Sequence, residues 1–139
     1  EILGGRPAPS QTDPDVLRRQ FLFFYKTPFH LNGCLINRDL QERVGFFDKN
    51  LKRSDDQDYI LRMLDAVDEV TTVDETVYKY RKYRSSAQSR IQYRLTDLKY
   101  RPKMIAKHTS GLEKVFSVLV SGFFDVAKSI YQLRGEYYK

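Results

Sequence analysis

Apolar and polar positions alternate along the chain with a period that changes from block to block, and each block predicts an element. The opening Gly4-Gly5-Arg6-Pro7-Ala8-Pro9-Ser10 has no period and predicts an irregular loop. Asp13 and Pro14 then predict a helix start. An aspartate side chain caps orphan N–H groups, and proline has no N–H to leave unpaired there. Val16, Leu17, Gln20, Phe21, Phe24 and Tyr25 follow mostly at helical spacing, up to Pro28. The apolar run Gly33-Cys34-Leu35-Ile36-Asn37 predicts a short buried strand, with a polar turn after it at Asn37-Arg38-Asp39.

Ser54-Asp55-Asp56-Gln57 has the form of a capping box, with Ser54 accepting the Gln57 N–H and the Gln57 side chain reaching back. The helix it opens carries Ile60, Met63, Leu64 and Val67 on one face and pairs Asp58 with Arg62 one turn on. Residues 70–73 and 76–83 lean towards strand. In the second run, alternation sets Tyr78 and Tyr80 on one face, with Lys79, Arg81 and Tyr83 on the other. After a Ser85-Ser86 turn, Ile91, Leu95 and Leu98 predict a helix that Pro102 kinks or ends. A last helix, residues 112–133, sets Leu112, Val115, Phe116, Leu119, Phe123, Val126, Ile130 and Leu133 on one face. Glu113, Ser117, Ser121, Asp125, Lys128 and Gln132 form the other.

With 139 residues, 41% hydrophobic and 30% charged, the chain suits one globular domain rather than two, and its composition excludes a disordered tail. The uncharged stretch at residues 115–124 falls well short of the ~20 residues that span a bilayer. Cys34 is the sole cysteine and forms no internal disulfide, which fits a reducing compartment. The chain opens on Glu1 with no basic leader ahead of an apolar run, so a signal peptide is not expected and a piece of a larger or processed protein is.

Charge changes the picture more than composition does. Residues 1–75 hold 10 Lys/Arg against 14 Asp/Glu, whereas residues 76–139 hold 14 against 4. So basic a half faces phosphates, an anionic membrane surface or an acidic partner.

Two clusters carry candidate chemistry. Asp55, Asp56 and Asp58 crowd a helix start, where the dipole favours each acid by ~0.3–1 kcal/mol and a structural role suffices. A carboxylate on such a rigid mount also suits a general base. Neither Asp13-Pro14-Asp15 nor Asp56-Gln57-Asp58 predicts a metal site. The first is a cap, and in the second the two side chains point about 200° apart around a helix. His30 and His108 lack the companions of a zinc site, and Cys34 near His30 fits a buried thiol better than a nucleophile. The other cluster is Tyr78-Lys79-Tyr80-Arg81-Lys82-Tyr83-Arg84. Its interleaved aromatics and cations suit either a nucleic-acid backbone or a nucleotide diphosphate, and no known nucleic-acid signature accompanies it.

Taken together, residues 30–89 resemble the second half of family 2 glycosyltransferases, which have the GT-A fold. The family pattern runs as a glycine-led strand, an arginine-bearing turn, V-G-x-F-D-x-x-L, then E/D-D-x-D-h-x-x-R with h apolar or aromatic, and an e-x-x-Y-x-Y-R ending with serines beyond. The chain supplies Gly33 and Arg38, Val44-Gly45-Phe46-Phe47-Asp48-Lys49-Asn50-Leu51, Asp55-Asp56-Gln57-Asp58-Tyr59-Ile60-Leu61-Arg62, and Glu75-Thr76-Val77-Tyr78-Lys79-Tyr80-Arg81 with Ser85, Ser86 and Ser89.

The resemblance implies an α/β fold, a partial GT-A (Rossmann-like) sheet over residues 1–89 with a basic, amphipathic helical extension over 90–139. It implies inverting transfer of a sugar from a nucleotide-sugar donor to a hydroxyl of a glycan or lipid-linked acceptor, in bacterial cell-surface polysaccharide synthesis. Asp56 matches the acid taken to deprotonate the acceptor, and Asp55 the acid before it. Asn32, Gly33, Lys79 and Arg81 fall at substrate-binding positions, with Arg81 and Lys79 supporting the diphosphate or packing against the acidic half. A divalent metal, Mg or Mn, is implied for the parent enzyme, on D-x-D ligands outside this chain, so the chain alone is expected to be inactive. After Gln88 come Ser89, Arg90 and Ile91 in place of the Q-x-x-R-W of processive synthases, which implies single-sugar addition.

The resemblance places the protein in the cytoplasm, peripheral at the inner membrane face. The last helix lies outside the shared pattern, and three fates remain open for its apolar face: the sheet, a second subunit in a homo-oligomer, or an anionic membrane. The alternative functions are a basic, aromatic nucleic-acid-binding module and a non-catalytic membrane-docking domain.

Overall fold

The computed structural model describes residues 9–23, 27–73, 75 and 91–133. Its elements in chain order are α1 (Pro14–Leu22), a 3₁₀ turn (Leu31–Gly33), α2 (Arg38–Val44), α3 (Asp55–Leu64), α4 (Ile91–His108) and α5 (Gly111–Leu133). The chain divides into two compact units, Glu1–Lys49 with Asp55–Lys82, and Asn50–Ser54 with Tyr83–Lys139.

In the first unit, α1 starts as its cap predicts. Asp13 Oδ1 accepts from the Asp15 and Val16 N–H groups at 2.8 and 3.1 Å, and Pro14 opens the helix. Leu17, Phe21 and Leu22 are buried, α1 packs against α3, and Arg18 Nε meets Asp65 Oδ1 at 2.9 Å. Phe21 extends this small core edge-on to Phe29, with ring centroids 5.4 Å apart. From α3 the core takes Tyr59, Ile60, Leu61, Met63 and Leu64.

The α/β expectation is overturned: among the described residues there are helices and a 3₁₀ turn but no strand, so no partial GT-A (Rossmann-like) sheet is formed there. The physical reason is local. A strand needs a partner for its N–H and C=O groups. The expected strand at residues 33–37 is instead the end of the 3₁₀ turn followed by extended backbone, and Leu35 is fully exposed. The strand-like residues 70–73 are also irregular. The third candidate, 76–83, lies outside the described residues, as do Phe24, Tyr25, the loop at 4–8 and the Ser85-Ser86 turn.

Where a polar turn is expected at Asn37-Arg38-Asp39, the chain starts α2. Asn37 Oδ1 accepts the Asp39 N–H at 2.7 Å, which makes this polar triplet a helix cap. Gly45 ends α2 at φ 80° and ψ −157°, and its N–H donates to Gln41 O at 2.9 Å. That backbone region is open essentially to glycine alone. A Cβ at Gly45 would meet nothing within 4 Å, so Gly45→Ala tests conformation and not space. The substitution is expected to cost ~1–3 kcal/mol in urea denaturation.

In the second unit, α4 continues through Pro102 and packs against α5. Leu51 is buried, and Arg53 reaches Asp97 with Nε at 2.7 Å and Nη2 at 2.6 Å from Oδ1. The buried side of α5 is the reverse of the usual pattern. Ser117, Ser121 and Asp125 are at most 2% exposed, whereas Leu112, Leu119 and Phe123 are 88, 67 and 72% exposed. The serines tolerate burial because their hydroxyls donate within the helix, Ser117 to Glu113 O at 2.7 Å and Ser121 to Val118 O at 3.1 Å. No sheet among the described residues receives the apolar face.

Candidate active site

The start of α3 gathers the acids Asp55, Asp56 and Asp58 in one turn. Ser54, just before it, has φ 61°, a left-handed conformation uncommon for a residue with a Cβ. An N-cap residue has extended backbone, so the expected capping box does not form as drawn. The Gln57 N–H donates to Asp56 Oδ1 at 2.9 Å. That bond orients the Asp56 carboxylate on the exposed side of the turn, while Asp55 is half-buried.

Asp58 points the other way and has no exposed surface. Its Oδ2 accepts from Arg62 Nε at 3.0 Å, the pairing expected one helical turn apart. Arg62 then does more than its spacing predicts. Its Nη1 donates to Val44 O at 2.6 Å and its Nη2 to Phe46 O at 2.9 Å. Val44 O is one of the last carbonyls of α2, left without an intrahelical partner at the helix end, and a guanidinium fork satisfies such groups well. The stack is completed by Tyr59, which lies under the Arg62 guanidinium at 5.2 Å and against Phe47 at 4.6 Å. One arginine therefore fastens Val44-Gly45-Phe46-Phe47 to Asp58 and the first turns of α3.

The other expected site residues fall elsewhere. Asn32 and Gly33 are exposed on the 3₁₀ turn, so Gly33 leads no strand. Lys79 and Arg81 lie outside the described residues. A groove of about 390 Å³ runs beside α2 and its C-terminal turn, lined by Arg38, Gln41, Glu42, Gly45 and Phe46. Of these, Arg38, Gly45 and Phe46 stand in the sequence motifs. Gln41 and Glu42 carried no signal beyond the helix that presents them.

No family model, curated protein or solved structure matches the chain. Among the described residues, no three His, Cys, Asp or Glu side chains converge as a metal site, and Asp56 and Asp58 face different sides of α3. This donor set does not fit a divalent ion. Among the described residues no helix is long and apolar enough to cross a membrane.

Cys34 is half-buried and donates from Sγ to the His30 carbonyl at 3.4 Å, not to the imidazole. Burial pushes its thiol pKa above the ordinary value. A thiol so held carries little thiolate at neutral pH. Alkylation by iodoacetamide at pH 7.5 is expected to be slower than that of free cysteine, with the difference abolished in urea; equal rates in the native protein would contradict it.

Proposed function

We propose that the chain is the acceptor-side portion of an inverting glycosyltransferase with family 2 motifs, and that Asp56 is its general base. The observation that carries this reading is the Arg62 clamp. Two stretches chosen only for their resemblance to the family, Val44-Gly45-Phe46-Phe47 and Asp55-Asp56-Gln57-Asp58, are joined through one side chain. The clamp supports a reading in which the carboxylates have different duties. Asp58 is a buried counter-charge, and Asp56 sits exposed on the rigid helix it helps hold.

In the proposed step Asp56 accepts the proton of the acceptor hydroxyl while that oxygen forms a bond to the anomeric carbon. The bond from that carbon to the nucleoside diphosphate breaks on the opposite side, and the diphosphate leaves with the electron pair. The groove on α2 offers the groups a glycan acceptor needs: Arg38, Gln41 and Glu42 for hydroxyls, and the exposed Phe46 ring for an apolar sugar face. The basic residues 76–139 suit an anionic diphosphate or the headgroups around a lipid-linked acceptor at the cytoplasmic membrane face. The testing experiment is sugar transfer by the full-length parent protein with Asp56→Asn. Loss of turnover supports the assignment and full turnover refutes it.

A further inference from the structure

Apart from Phe124, the exposed apolar side chains of α5 lie along one side of the helix. Leu112, Phe116, Leu119, Phe123, Val126 and Ile130 follow one another at alternating steps of four and three, and each is 48% exposed or more. Steps of four and three average 3.5 residues, the period of a coiled-coil seam, and the seam runs about 27 Å along the helix. With Phe116, Phe123 and Ile130 at one core register, Leu112, Leu119 and Val126 take the other.

The borders of the seam say what fits it. Past Glu113, the flanking positions are Val115, Val120, Gly122, Ala127 and Ser129, none of them charged, so two identical faces meet without like-charge repulsion. An anionic membrane would instead favour cations bordering the apolar stripe. The exposed Lys114 lies about 160° around α5 from the seam and does not border it. The exposed Lys99, Lys103 and Lys107 form a ladder on α4, roughly opposite its buried Arg101, Met104 and Ile105. The α4–α5 hairpin thus carries its cations on the outer side of one helix and its apolar face on the outer side of the other.

We infer that the outward seam of α5 is a self-association surface, and that its occupant is the α5 seam of a second copy of this chain. The small, polar face of α5 is already spent on the hairpin, with Ser117, Ser121 and Asp125 buried, so the helix cannot roll to hide the seam. Pairing through α5 also keeps the lysine ladders of the two copies on the far sides of the dimer.

Sedimentation equilibrium of the full chain over ~1–200 µM tests this, because a seam this short sits at the small end of stable interfaces and predicts micromolar dissociation. The mass is expected to rise from 16.4 kDa toward twice that value. Leu119→Glu, at an exposed position, should leave the helical circular dichroism unchanged and weaken dimerisation at least ~100-fold, since the seam would then bury an unpaired carboxylate. A chain that stays monomeric throughout, or a dimer indifferent to Leu119→Glu, overturns the inference. So does a monomer that co-sediments with phosphatidylserine vesicles through the same residues, which would give the seam to a membrane. None of these outcomes depends on sugar transfer, so the seam and the role of Asp56 stand or fall separately.

Discussion

Replacing Arg62 with alanine is expected to destabilise the chain by ~3 kcal/mol, the low end of what is lost when a buried charge is stripped of its partner. The low end applies because the Arg62 side chain keeps 22% exposure, so solvent screens part of the pair, while Asp58 is fully buried. The substitution leaves the Asp58 carboxylate in the core without the guanidinium, and frees Val44 O and Phe46 O at the end of α2. In a domain of ordinary stability, ~5–15 kcal/mol, the loss is a large fraction and reads directly as a lower urea midpoint. Arg62→Lys separates charge from geometry. A lysine keeps the attraction to Asp58 but cannot reach three acceptors with a planar fork, so an intermediate loss is expected. Asp58→Asn combined with Arg62→Ala should cost less than the sum of the two changes, because the second no longer strands a charge. A loss under ~0.5 kcal/mol for Arg62→Ala would place Arg62 among ordinary surface pairs and remove the link between the two motifs.

The parts of the structure that were legible in the sequence are those decided within a turn or two of chain. Asp13 with Pro14 is a complete instruction for a helix start, and Asp58 with Arg62 is a complete instruction for a pair, so both stand as expected. Other local signals were present but had two meanings. Asn37-Arg38-Asp39 fits a turn and a cap equally, since an Asn side chain bonds the N–H two residues on in both; the length of the apolar pattern after it decides, and it belongs to α2. Gly45 had a signal too, as a glycine just after a helix, but it becomes one only when α2 is seen.

The strand at residues 33–37 failed for a different reason. A five-residue run with only Cys34, Leu35 and Ile36 as apolar side chains does not state whether a partner will lie beside it, and strand existence is a property of pairs. The long last helix shows the limit most clearly. Periodicity divides α5 into an apolar and a polar face correctly, yet the polar face is the one buried. Serines that donate to their own helix's carbonyls are small and satisfied, so they let α4 approach closely. Which face turns inward depends on what the partner element offers.

The candidate site has the same division between what a pattern names and what geometry assigns. Three aspartates within four positions look interchangeable in sequence, and their environments are not: Asp58 is buried on Arg62, Asp55 is half-buried, and Asp56 is exposed and oriented by the Gln57 N–H. On the proposed reading, three isosteric substitutions in the full-length protein should therefore give three different phenotypes. Asp56→Asn is expected to lower kcat for sugar transfer by ~10²–10⁴, the range for removing a positioned general base. Its donor KM should hold nearly constant, and its urea midpoint should fall by no more than the ~0.3–1 kcal/mol that an exposed acid at a helix start contributes. Asp58→Asn should do the converse, lowering the urea midpoint through the loss of its pairing with Arg62 while leaving the residual folded enzyme able to turn over. Asp55→Asn should fall between them, with a smaller loss of kcat, since on the proposed reading its carboxylate offsets part of the helix-start dipole beside Asp56 without taking the proton. The decisive comparison is between the first two. If the loss of turnover follows Asp58 rather than Asp56, the proton acceptor lies elsewhere; if it follows Asp56 with stability intact, the exposed acid of the α3 turn is the base.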